Sequence, residues 1–314
     1  MSHAAINHRA FPALPDIVTI SAGSLTLDVA PEIGGSIARF AGRQGDQTID
    51  WLRPATEEAL VRRDPLGMAS FPLIPYCNRI RDGRFTFDGT AVHLPQNYAH
   101  SRHAIHGDAW QNPWTVVERA ADAVTLAYEH RPDAWPWAYA ARQTYALAPD
   151  GLTVRMAVTN LGAQPMPLGL GHHPYFPRTA GTTVTAKVEA IWSTDAEVMP
   201  TVLERNWVTD RLAEGLRVDD ADLDNNFTGW DGTAEIRWPE HGAALRMTAP
   251  EPLRFLVAYT PAGSDFFCLE PVGNCTDWPN LTAEGTARVG GAVLAPAGTA
   301  EVLFRLEPCA SVLR

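Results

Sequence analysis

Stretches of five to nine residues, alternating or β-branched and separated by Gly, Pro, Asp and Asn, run through nearly the whole chain, and few folds accept that pattern. In Leu152-Thr153-Val154-Arg155-Met156-Ala157-Val158 the residues Leu152, Val154, Met156 and Val158 share one face, as in a half-buried strand. A second strand precedes it at 142–147, and Ala148-Pro149-Asp150-Gly151 joins the two, with Asp-Gly supplying the positive φ angles of a tight hairpin. Further strands are expected at 16–21, 24–30, 35–41, 84–87, 114–118, 123–129, 165–171, 182–192, 234–238, 243–248, 253–259, 265–270 and 300–307. One short helix is expected at about 55–63, which lacks Gly and Pro. Strands do not alternate with helices, which argues against a parallel α/β sheet. The expectation is an all-β fold, a large antiparallel β-sandwich whose wide sheets can cup a ligand on one face.

The 314 residues show no linker and no internal repeat, and all-β domains often reach this length undivided, so residues 1–314 are expected to form a single domain. Apolar residues make up 46% and charged residues 19%, enough for a sizeable core. The net charge is −11, and the basic residues are all Arg except Lys187, spread along the chain rather than clustered. That distribution lacks a nucleic-acid footprint, argues against an anionic membrane as partner, and suits a neutral ligand. The start of the chain lacks the basic and apolar stretches of a signal peptide, and no run of about 18 apolar residues occurs. A cytoplasmic location is the resulting expectation. Cys77, Cys268, Cys275 and Cys309 form no Cys-x-x-Cys pair and read as scattered buried thiols rather than disulfides or zinc ligands.

Histidines, carboxylates and aromatics gather in four segments at strand ends, 75–85, 103–110, 169–176 and 266–271, and a fifth, 222–227, adds acids in what reads as a loop. Glu270 ends an apolar run, and alternation puts it on the face of Phe266 and Cys268; burial there would raise its pKa, whereas an ordinary strand-end Glu turns to solvent. Of His172 and His173, one imidazole should point into the concave face and the other away, and period two does not choose between them. His103 and His106 precede Gly107, which would let a ligand approach the backbone closely. Two histidines three apart could also hold a metal, although strand-borne ligand pairs usually alternate as His-x-His. Asn78-Arg79-Ile80 offers a planar guanidinium suited to forking two hydroxyls, or simply a solvated basic turn. The ten Trp could stack on a pyranose, but core packing is the ordinary fate of each.

In order and spacing these segments resemble the aldose 1-epimerase, or galactose mutarotase, family from about residue 20 to the C-terminus. Asn78-Arg79-Ile80, with Gly83, Phe85 and Asp88-Gly89 behind it, is similar to the family's Asn-Arg-Ile segment. His106-Gly107 resembles its His-Gly-Gly element, and His173-Pro174-Tyr175-Phe176 its His-x-Tyr-Phe element. Asp224-Asn225-Asn226-Phe227 resembles its Asp-His-Asn-Phe loop, and Leu269-Glu270-Pro271 the strand bearing the catalytic Glu. The resemblance implies a β-supersandwich with neither metal nor organic cofactor. It also implies a monosaccharide as ligand, Glu270 as general base, His173 as general acid, and Asn78, Arg79, His106 and Asp224 as binding residues for the sugar hydroxyls. Interconverting α and β anomers needs a proton removed from the C1 hydroxyl and one given to the ring oxygen, a task for a carboxylate tuned upward and an imidazolium near its ordinary pKa.

Three positions depart from the family pattern: Asp108 stands where a second Gly is usual, Asn225 where His is usual, and His172 where Asn is common. They are expected to surround the sugar's periphery and so to bear on whether a hexose, pentose or uronic acid is preferred. A non-catalytic sugar-binding protein on the same fold and a metal-dependent cupin-like isomerase are the competing readings. Either a monomer or a homodimer is compatible with the sequence.

Overall fold

The computed structural model describes residues 14–310. Among them, nine strands form one antiparallel sheet in the order Thr115–Arg119, Ala123–His130, Tyr139–Ala148, Gly151–Asn160, Thr299–Ala310, Ala243–Thr248, Thr233–Trp238, Thr183–Ala186 and Leu216–Arg217. The hairpin expected around Asp150-Gly151 is its centre, with Leu147 opposite Leu152 and Tyr145 opposite Val154. This sheet is one-sided: Tyr139, Ala141, Gln143, Tyr145 and Leu147 are buried while the residues between them are half-buried or exposed, the alternation of an antiparallel sheet with one wet face.

An eight-stranded sheet packs against the dry face. It runs Pro200–Glu204, Ala190–Thr194, Asp224–Thr228, Phe255–Tyr259, Phe266–Val272, Gly171–His172 and Pro72–Leu73, and Tyr175–Pro177 also pairs with Phe266–Val272. Phe267, Leu269, Leu256 and Ala258 enter the same core as Val154, Met156 and Phe304 of the larger sheet. Cys268, Val272, Phe255 and Val257 lie in a second apolar cluster with Phe71, Trp110, Tyr175 and Trp192. Successive residues of these two strands thus serve opposite faces, and both faces are covered. A four-stranded sheet, Val18–Ala22, Leu25–Ala30, Ser36–Gln44 and Gln47–Asp50, joins the main core through Ile20, Leu27, Val29 and Phe40. No described helix is long and apolar enough to cross a membrane.

Several sequence expectations need correction. The stretch 182–192 is not one strand: Thr183–Ala186 belongs to the nine-stranded sheet and Ala190–Thr194 to the eight-stranded one, and the Lys187-Val188-Glu189 crossover is tied by backbone bonds to Asp231 and Thr228. The stretch 165–171 breaks likewise into Met166–Leu168 and Gly171–His172, because the Gly169 N–H turns to the Pro75 carbonyl and Asn274 packs where a Gly169 side chain would stand. The acidic segment at 222–227, read as a loop, contains the strand Asp224–Thr228; a central place in the sheet overrides the weak β-propensity of Asp and Asn. The helix Glu57–Arg62 lies inside the expected 55–63, but the longest described helix, Trp207–Glu214, was not anticipated. Its signals were Asn206 and Thr209, which form a capping box, and Gly215 at the end.

The two-faced strand makes a direct prediction. Leu269, 1% exposed and aimed into the inter-sheet core, should lose about 2–5 kcal/mol of stability on truncation to Ala. Urea denaturation measures it, and a loss below about 1 kcal/mol would contradict the packing described.

Candidate active site

Period two along Phe266–Val272 and its neighbours places the polar residues of the site in two rows across the eight-stranded sheet. Glu270 lies opposite Val257, itself opposite Asn226; one step along, Tyr175, Cys268, Tyr259 and Asp224 lie side by side. These rows floor a cavity of about 550 Å3 counted to its open mouth, within the range usual for small-molecule sites. Its walls are Leu66, Asn78, Arg79, Tyr98, Ile105, His106, Trp110, His173, Tyr175, Asp224, Tyr259 and Glu270. All six residues singled out from the resemblance therefore line one cavity.

His172 and His173 part as the alternation requires. His172 turns into the inter-sheet core, where the Ser70 hydroxyl is 2.5 Å from Nδ1 and Gln143 Oε1 is 3.1 Å from Nε2. The Gln143 amide donates to the Gly35 carbonyl, so Oε1 accepts and the His172 proton sits on Nε2. Burial pushes the His172 pKa down to about 3, helped by the charge of His173. His173 turns to the cavity, with Nε2 3.3 Å from Glu270 Oε1. Phe71 and Tyr175 each stack on its ring with centroids 4.7 Å away, and the two lie 6.1 Å from one another. Trp110 stacks on Phe71 and the Arg53 guanidinium lies 4.1 Å over Tyr175, so four rings and a cation pack in one cluster. Arg53 is anchored below by the Leu66 and Met68 carbonyls.

Glu270 is 2% exposed, and burial raises its pKa well above the usual carboxylate range; the charge of Asp224 adds to this and Arg79 opposes it. Burial lowers His173 to about 3, and the charges of Arg53 and Arg79 push the same way. The expected imidazolium near its ordinary pKa is thus corrected: the burial that fixes the ring also removes the water that would solvate its charge. At neutral pH His173 is therefore uncharged, and burial shifts the pair's proton affinity toward Glu270. Among the described residues, Glu270 Oε2 and His173 Nδ1 have no hydrogen-bond partner.

Arg79 donates to Asp224 Oδ2 at 3.1 Å and to Asn78 Oδ1 at 3.2 Å, so it is an enclosed cation with its counter-ion rather than a solvated turn. Asn78 and His106 hold each other: the His106 N–H donates to the Asn78 carbonyl, and the Asn78 N–H donates to His106 Nδ1 at 3.1 Å. Burial, with repulsion from a protonated His173 and from Arg79, lowers the His106 pKa well below its usual value, so the ring is neutral. Since Nδ1 accepts, the proton is on Nε2, and His106 is a hydrogen-bond donor there.

Other expectations fail on position. Gly107 does not admit a ligand; a side chain there would meet the Ile74 carbonyl oxygen at 2.0 Å, and its φ of +73° favours glycine. His103 diverges from His106: its Nδ1 accepts from the Asp82 N–H and its Nε2 is 3.8 Å from Glu197, so the two do not share a ligand position. Asp108, His172 and Asn225 do not line the cavity, and Asn225 faces away from it to bond the Trp192 carbonyl. Arg53, Leu66, Phe71, Tyr98 and Tyr259 were missed. Only Tyr259, at the end of an expected strand, carried a local signal.

A large antiparallel sandwich with a buried carboxyl–imidazole contact in an open cavity defines the class of protein, and comparison with known proteins narrows it. The aldose 1-epimerase family profile matches residues 16–287, and the chain belongs to that family. It is 35% identical over 282 residues, 83% of this chain and 89% of the other, to the uncharacterized protein YphB of Escherichia coli (strain K12). Among solved structures, a candidate aldose 1-epimerase of Escherichia coli K12 superposes with a TM-score of 0.84 at 29% identity, covering 94% of this chain and 99% of that one. A galactose mutarotase-like protein of Clostridium acetobutylicum also gives 0.84, at 20% identity over 94% and 95% of the chains, a likeness of fold.

The two neighbouring histidines should behave oppositely on mutation. His172→Ala leaves Ser70 and Gln143 without their partner and should cost about 2–4 kcal/mol of stability in urea. Glu270→Gln removes a strained buried acid and should change stability by less than about 1 kcal/mol. A neutral His172→Ala would mean that its network does not hold the core.

Proposed function

We propose that this chain is a mutarotase that interconverts the α and β anomers of a neutral aldose, with Glu270 and His173 moving the protons and Asn78, Arg79, His106 and Asp224 holding hydroxyls. The observation that carries this reading is the buried Glu270–His173 contact at 3.3 Å on the cavity wall. Ring opening takes the proton from the C1 hydroxyl and gives one to the ring oxygen; the C5–O5 bond stays and the C1–O5 bond breaks, leaving the free aldehyde. Rotation about C1–C2 and closure with the roles reversed complete the exchange. A pair that carries one proton between two groups suits a reaction that must run equally in both directions. In the working form for ring opening the proton is on His173, so that Glu270 is the base and His173 the acid.

A neutral sugar is favoured by the charge of the walls. The Arg79 guanidinium already faces Asp224, so a substrate carboxylate or phosphate would meet the negative side of that pair with no uncommitted cation on the cavity wall. Neutral His106 offers an N–H without adding charge. The aromatic faces of Trp110, Tyr98 and Tyr259 offer apolar surface to the C–H faces of a pyranose.

Polarimetry or anomer-resolved NMR on freshly dissolved single anomers of galactose, glucose, xylose and arabinose tests this. At least one should be accelerated, and Glu270→Gln should lose about 10²–10⁴-fold in rate with sugar binding kept. Binding without acceleration of any anomer would make the protein a sugar-binding relative instead.

The pH profile tests the pair. Above the raised pKa of Glu270 both groups are unprotonated and no acid remains, so kcat/KM should fall on the alkaline side. Asp224 helps hold that pKa up, so Asp224→Asn should lower it and move the alkaline limb to lower pH. A limb that stays in place would remove Glu270 as its source.

A further inference from the structure

Directly behind the His106-Gly107 turn stands Asp108, whose carboxylate faces the nine-stranded sheet instead of the cavity. Oδ2 accepts from the Tyr128 hydroxyl at 2.5 Å and from His130 Nδ1 at 2.8 Å, and Oδ1 accepts from the Tyr139 hydroxyl at 2.7 Å. Tyr128 and His130 lie on Ala123–His130, and Tyr139, stacked on His130 with centroids 4.9 Å apart, lies on the next strand. The other His130 nitrogen, Nε2, is 3.0 Å from the Trp135 carbonyl and 3.5 Å from Asp133. Acceptors face both nitrogens, so the ring is an imidazolium. Burial opposes this charge, but the hydrogen bond to Asp108 and its negative charge outweigh burial and raise the His130 pKa. Burial also pushes Asp108 up, and the bonds from His130, Tyr128 and Tyr139 more than offset it, leaving its pKa lowered.

The backbone in front of this carboxylate needs holding. His106 has φ +62° and Gly107 φ +73°, two successive residues in the left-handed region, where a non-glycine residue persists only when its surroundings over-determine it. On one side the mutual bonds of His106 and Asn78 fix the turn. On the other, the Asp108 and Ala109 N–H groups meet the Ile74 carbonyl, and the Asp108 side chain ties the same segment to the larger sheet.

We propose that Asp108 is a positioning residue: gripped by Tyr128, His130 and Tyr139, it locks the His106-Gly107 turn so that the His106 Nε2–H is held at the sugar. The proposal rests on the reading of the cavity as a sugar site, and it assigns the departure from the usual Gly at this position a role in orienting His106 rather than in touching the sugar. The imidazolium–carboxylate tie joins the nine-stranded sheet to the rim of the cavity, so a change on the sheet reaches the site through one carboxylate.

The test reads the His106 ring without needing turnover. Long-range 1H–15N spectra of the imidazoles should give the Nε2–H pattern for His106 in the native protein. Asp108→Asn and Tyr139→Phe should broaden or average the His106 signals, leave those of His173 in place, raise KM and lower kcat/KM about 10–100-fold for whichever of galactose, glucose, xylose or arabinose is turned over. Leu152→Ala, a core truncation far from the turn in the same sheet, should lower stability and leave the His106 signals unchanged. A folded Asp108→Asn protein with native His106 signals overturns the proposal. If Asp108→Asn does not fold, Tyr128→Phe, which removes one donor from a half-buried ring, carries the test with the same readings. Should native protein accelerate no aldose, the mutarotase reading falls, while the ring signals still decide whether Asp108 orients His106.

Discussion

The Phe266–Val272 strand is buried on both faces, and that constraint organises everything around it. One set of side chains, Phe267 and Leu269, must be apolar because it meets the nine-stranded sheet. The other set, Cys268 and Glu270, meets the cavity wall. A one-residue slip in register would send Glu270 into the inter-sheet core and Leu269 to the site, so the packing of the sandwich and the placement of its acid are the same fact. The strands beside it inherit the rule, and that is why Asp224 and Tyr259 reach the cavity from neighbouring chains.

Placing a carboxyl group there is expensive when it is ionised, and the surroundings respond by raising its pKa rather than by pairing it with a cation. Arg79, the nearby guanidinium, is committed to Asp224. The two cavity carboxyls therefore diverge: one has a counter-ion, the other has a neutral imidazole at 3.3 Å. Burial keeps His173 neutral, and the rings packed on it are part of that burial. Orientation and proton affinity are set together by one cluster that joins Arg53, Tyr175, His173, Phe71 and Trp110. Such a cluster can hold a fixed geometry because each ring is packed against its neighbours.

Much of this was legible in the sequence, and the parts that were not share a cause. Period two revealed the hairpin at Asp150-Gly151, the two-faced character of the strand bearing Glu270, and the opposed directions of His172 and His173. The choice between those two histidines depended on which face was concave, which is a tertiary property. The crossover at 187–189 escaped because a strand that changes sheets keeps its alternating pattern while the chain turns. Arg53 and Phe71 escaped because their contacts with Tyr175 and His173 span more than a hundred residues of sequence and leave no local spacing. The same is true of the charge state of His173: the residue type suggested an ordinary imidazole, and only its burial among residues distant in sequence makes it a poor cation.

The residues that set this chain apart from the family's usual motifs all work from behind the cavity wall. His172 bonds Ser70 and Gln143 between the sheets, Asn225 bonds the Trp192 carbonyl, and Asp108 binds three donors of the larger sheet. None of them lines the cavity, so ligand preference has to be sought at the positions that do, with Leu66, Tyr98 and Tyr259 contributed from three separate parts of the chain. A motif comparison places weight where the sequence differs, whereas recognition depends on where a difference points. In a sheet that alternates its side chains between a ligand and a core, half of the changes near a catalytic residue must act on the core.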